Sequence, residues 1–207
     1  MRTSSRILLT LLIMAMAVGE NHARPKPRLS KDPLTAEQVA IYRAVLEQYV
    51  ENDFSAALNI ANRTEALDSA WPEGQMGCSK RLTMEAAPQR PIVHRVSPAV
   101  VLGSKMVLVD PERQAKLVKQ NDPQKLVHKA IDKHEPVSDK DLDDSVKRAF
   151  ATGLFTFSEI LFDRSHQHAI LQYSFWCGSL CGHGKTLVMK KSAGKWHIEK
   201  ECSDWVS

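Results

Sequence analysis

The sequence predicts an α+β fold in which N-terminal and central helices pack on a C-terminal four-stranded antiparallel meander. Three observations carry that expectation. Apolar residues recur at helical spacing through residues 36–51. Three capped helix starts follow one another between Asp110 and Asp141. After Gly153 the apolar period drops from about 3.6 residues to about two.

The first helix opens at Thr35-Ala-Glu-Gln38, a capping box whose hydroxyl and amide side chains satisfy exposed backbone amides. Val39, Tyr42, Val45, Leu46, Tyr49 and Val50 follow on one face, so a helix is expected over 36–51. Residues 58–64 predict a short strand, 68–92 an irregular stretch containing Cys78, and 100–109 a second strand centred on 105–109. Asp110-Pro111 and Asp122-Pro123 each set an acidic cap before a proline at the first helical position, where no amide hydrogen is missed. Ser138 caps a third helix with Asp139 and Asp141 in its first turn, and Leu142, Val146, Ala149 and Phe150 share one face. Gly153 is expected to end that helix in the left-handed conformation. Strands are then expected over 154–162, 169–177, 186–190 and 195–200, the last two joined by a hairpin turn at Ser192-Ala193-Gly194, with the helices covering one face of the meander.

The organisation around this domain is read from its leading residues. Arg2 and Arg6 precede the apolar run 7–18 and small residues follow, which is the pattern of a signal peptide over 1–23. The run is shorter than the roughly 20 residues a spanning helix needs. Residues 24–33, with Arg24, Lys26, Arg28 and Lys31 among prolines, read as a basic leader, and 34–207 as one domain. Removing 1–23 takes away Arg2, Arg6 and Glu20 and lowers the formal charge from +4 to +3. That near balance, with signs alternating along the chain, argues against a nucleic-acid partner. No membrane span is expected after signal removal, and the expected location is secreted or periplasmic.

Chemistry concentrates in Phe175–Val188, FWCGSLCGHGKTLV. Gly184-Lys185-Thr186 looks like the end of a phosphate loop, but the glycine required five positions earlier is Ser179 and the segment leads into a strand. Gly178-Ser-Leu-Cys-Gly182 is not a nucleophile elbow, because the serine directly follows the first glycine. Cys177, Cys181 and His183, with His166 and His168, form a possible metal set, yet no second ligand pair at short spacing follows. Four cysteines, Cys78, Cys177, Cys181 and Cys202, behind a signal peptide favour disulfides over metal. The favoured pairing is Cys177–Cys181 with Cys78–Cys202; Cys181–Cys202 with Cys78–Cys177 is the rival. Gly178, Gly182 and Gly184 are then expected to let the backbone turn. Glu159, interrupting an apolar strand, is a candidate pocket carboxylate near His166 or Asp163, and Trp176, Trp196 and Trp205 are candidates to line a groove.

The tail from GLFTFSEILFD through YSFWCGSLCGHGKTLVMKKSAGKWHIEK to CSDWVS resembles exported bacterial proteins that share a Cys-Gly-x-Leu-Cys-Gly-x-Gly turn ahead of a Gly-Lys-Trp hairpin. The resemblance covers the last third of the chain and the early helix around Ile41–Leu46; it implies export and the meander, and no activity. The function expected is therefore a non-catalytic exported domain that binds a protein, peptide or small ligand, with no cofactor. The alternatives are a hydrolase using carboxylate and histidine between Glu159 and His168, and a metal-binding module.

Overall fold

The computed structural model describes residues 26–53, 57–67, 84–85 and 91–207. The segment expected to be a signal peptide, the start of the expected basic leader and most of the stretch around Cys78 lie outside the described residues. The fold is α+β as expected, with its core where α1 meets a mixed sheet.

Helix α1 (Ala36–Asp53) begins as the capping box dictates: Thr35 N–H donates to Gln38 Oε1 at 2.9 Å and Gln38 N–H to Thr35 Oγ1 at 3.2 Å. It buries Ile41, Tyr42, Val45 and Leu46 completely or nearly so. The Tyr42 ring lies 4.6 Å from Phe157, and its hydroxyl donates to Ser158 O at 2.8 Å. Burial holds the Tyr42 pKa well above its ordinary value, with the Glu159 charge adding to it.

Within the residues expected to form a basic leader lies a strand, β1 (Arg28–Leu29). It pairs in parallel with β3 (Ile92–Val93) in a small sheet of its own. The main sheet joins β2 (Leu58–Ala61), β4 (Met106–Val109), β5 (Leu154–Phe157), β7 (His168–Gly178), β8 (Cys181–Ser192) and β9 (Lys195–Val206) in the order β4-β2-β5-β7-β8-β9, with β6 (Leu161–Phe162) also on β7. The meander β5-β7-β8-β9 is antiparallel; β2 pairs in parallel with both β4 and β5, so the meander is one side of a wider mixed sheet.

Helices α2 (Pro111–Gln120), α3 (Pro123–Lys133) and α4 (Asp139–Thr152) start at Asp110, Asp122 and Ser138, each of whose side chains accepts a backbone amide of the first turn. The helices do not share one face of the sheet. Tyr42 and Tyr49 of α1 pack on Phe155 and Phe157, whereas Val118 of α2 packs with Leu154, Trp176 and Ala61. Adjacent strand residues point to opposite faces, so α1 and α2 cover opposite sides.

Two further expectations change. Gly153 is extended, at φ −52° and ψ 151°, and does not end α4 in the left-handed region. It is needed for room, because a Cβ there would collide with the Phe175 ring. The strand expected over 154–162 breaks after Phe157, where Glu159 turns to partners outside the meander. The β8–β9 register shifts twice, so Gly184 faces Trp205 and Cys202 occupies a bulge between Glu201 and Ser203.

Candidate functional site

A groove opens where α3 and α4 meet the end of β7, β8 and β9. Its volume is about 810 Å³, within the size range of small-molecule sites. Val127 of α3, Leu142, Val146 and Phe150 of α4 and Phe175 of β7 supply much of the apolar lining, and Leu180 and Trp205 stand at its mouth. Leu180 is 74% exposed and Trp205 48%. The face of α4 that the sequence marks as apolar is thus only partly covered: Ala149 is buried, and Leu142, Val146 and Phe150 are left open to the groove.

The disulfide Cys177–Cys181 forms part of the wall, with its Cα atoms 5.0 Å apart across the β7–β8 turn. This is the favoured pairing, and it excludes Cys181–Cys202. Cys202 is itself disulfide-bonded, while Cys78 lies outside the described residues. Asp122 holds the turn against α3. Its carboxylate accepts Ser179 N–H at 3.0 Å, Ser179 Oγ–H at 2.6 Å and, as the helix cap, Gln124 N–H at 3.0 Å. Burial alone would raise the Asp122 pKa, but these bonds and nearby Lys125 together outweigh it and lower the value.

The glycines here divide by role. Gly178 turns the chain at φ 147°, a conformation costly for any residue with a Cβ. Gly182 and Gly184 lie inside β8, and a Cβ on either would meet the Trp205 indole. Lys185 pairs with Glu201 at 2.6 Å, and Thr186 is buried beneath Ser203 and Gln172. Gly-Lys-Thr is therefore strand, with no helix N-terminus to hold a phosphate.

The strand separates the suggested metal ligands. His168 starts β7 and Cys177 lies nine residues on, so the two are roughly 30 Å apart at about 3.3 Å per residue. His166 sits at the far end with Glu37 and Glu85 at 3.4 and 3.2 Å, and Lys191 reaches Glu37 at 2.7 Å. The Glu37 contact is the main cause of a raised His166 pKa. His183 stays near the groove, stacked on Tyr49 at 5.8 Å. Among the described residues, no cluster of three or more acidic, histidine or cysteine side chains could hold a metal ion.

Glu159 also finds other partners than expected. It accepts Thr64 Oγ1–H and His94 N–H on one oxygen, the latter at 2.9 Å, and faces His94 Nδ1 at 2.9 Å with the other. Glu159 and His94 are 16% and 17% exposed. Asp163 instead caps the turn ahead of β7 through Gln167 N–H and His168 N–H, both at 2.9 Å, and Ser165 Oγ–H at 2.6 Å. Each carboxylate is taken up by bonds that fasten strands and turns. His94, 65 residues before Glu159, gave no signal in sequence because nothing local links them. Of the three tryptophans expected to line a groove, Trp205 does so, Trp196 is buried, and Trp176 packs under α2.

Fold and groove together define an α+β domain with an open apolar cleft beside a disulfide-closed turn. No family model, curated protein or solved structure matches the chain. No helix among the described residues is long and apolar enough to cross a membrane.

Proposed function

We propose that this chain is an exported, non-catalytic domain that binds its ligand in the apolar groove between α3, α4 and the end of the sheet. The groove itself carries the reading: Leu142, Val146, Phe150 and Leu180 are large apolar side chains left facing one open space. Contiguous apolar surface of this kind gains free energy when a ligand removes it from water. Glu159, Asp163 and His166 are engaged in bonds that hold the fold, which supports binding over hydrolysis. Export rests on the apolar leader and on the resemblance of the tail to exported bacterial proteins.

The test is titration with the neutral dye Nile red, followed by fluorescence. The parent is expected to bind it, and Val146→Asp and Leu180→Asp to bind at least tenfold more weakly with unchanged circular dichroism. Equal dye binding by both variants and the parent would place the apolar site elsewhere.

A further inference from the structure

We propose that the groove receives a peptide in extended conformation, held through alternate apolar side chains and through one backbone edge by Gln124 and His128. The proposal rests on the groove being the binding site and names what it binds.

Gln124 and His128 are four residues apart on α3, so they share a helix face, and both line the groove. Neither side chain makes a hydrogen bond to another described residue. Four helical residues rise about 6.0 Å. In an extended chain the backbone groups that point to one edge recur every two residues, at about 6.6–6.8 Å. The two spacings agree to within about 1 Å. The amide of Gln124 both donates and accepts, and a neutral imidazole does the same with its two nitrogens. They can therefore meet the N–H and C=O groups of successive same-edge residues.

Those side chains decide between ligand classes. A peptide backbone pressed against a purely apolar wall would leave amides unpaired, at about 1–3 kcal/mol each. An amide and an imidazole along the rim remove that cost, whereas a hydrocarbon chain has no use for them. Strand side chains alternate, so every second one falls toward Val127, Val146 and Phe150. Lys185 of the lining is paired with Glu201 and Asp122 is bonded to Ser179 and Gln124 N–H, while Asp204 lines the groove with no ion pair among the described residues. Trp205, packed over Gly182 and Gly184, adds the exposed remainder of its ring to the lining.

Fluorescein-labelled Ser-Leu-Ser-Phe-Ser-Leu-Ser, titrated with the full chain by anisotropy, tests this beside two N-methylated versions, one for each backbone edge. The parent peptide should bind, one methylated version should bind about tenfold more weakly, and the other should match the parent peptide. Gln124→Ala/His128→Ala should weaken the parent peptide about tenfold with unchanged circular dichroism. Absent peptide binding, equal binding of all three peptides, or full peptide affinity in the double variant overturns the peptide assignment. So does displacement of Nile red by laurate or maltohexaose but not by the peptide. Retained dye binding in those cases leaves the groove as the binding site, while a parent protein that binds no dye removes the groove reading itself.

Discussion

At Gly184 the missing side chain matters more than backbone freedom. The residue sits in the middle of an antiparallel ladder, between Ser174 and Trp205, and the indole occupies the space a Cβ would fill. The Tyr173 carbonyl oxygen closes the other side at 2.8 Å from that position. Neither a buried strand carbonyl nor a bulky ring yields easily. Gly184→Ala should therefore destabilise the protein by about 1–3 kcal/mol, as overpacking does, and shift Trp205 toward water. Thermal denaturation with tryptophan emission reads both effects, and an unchanged melting temperature would refute the account. The sequence alone suggests a turning role for Gly178, Gly182 and Gly184 alike. Only Gly178 of the three has a backbone that demands it. The need at Gly184 comes from a residue 21 positions on, whose register depends on two bulges that no local pattern marks.

Among the elements, those whose cause lies within a few residues were legible. The caps at Asp110, Asp122 and Ser138 bond amides two or three residues away, so sequence contains both partners. The two-residue hairpin at Ala193 and Gly194, with φ 49° and 77°, is equally local. The parallel pairing of β2 with β4 and β5 was not legible, because it joins Ile60 to Leu108 and Phe155 across long intervening chain. The apolar face of α4 was legible, but its incomplete cover depends on where α3 lands. The same locality explains the short disulfide ring. Cys177 and Cys181 close four residues of chain across one turn, which on loop entropy contributes about 2 kcal/mol. Cys177→Ala/Cys181→Ala should lower the urea midpoint by a corresponding amount and weaken Nile red binding, because the turn carrying Leu180 loses one of its two anchors. A shift in midpoint with dye affinity intact would separate the staple from the groove.

For the molecule as a whole, acid sensitivity should come from the end of the sheet remote from the groove. Asp163 ties the turn between β6 and β7 to the start of β7. Burial opposes its ionisation, but the Ser165 hydroxyl, the His168 and Gln167 amides and the His168 ring outweigh that and lower its pKa to about 2. A carboxylate with a depressed folded value stabilises the protein above its unfolded value of about 3.9, and that contribution is lost as pH falls through the folded value. The window is therefore about pH 4 down to about 2, and the contribution above it is on the order of 2 kcal/mol. Glu37, lowered chiefly by its bond to Lys191 and next to His166, joins the loss in the same direction. His166 has the opposite sign: its raised pKa adds stability at low pH that fades as pH rises through the folded value, and its exposure keeps that term small. Asp163→Ala should be less stable than the parent at pH 7 by roughly 2 kcal/mol, with the gap closing as pH approaches 2. Urea denaturation across that range measures it; a gap that stays constant with pH would mean that the aspartate supports the turn by shape alone, without its charge.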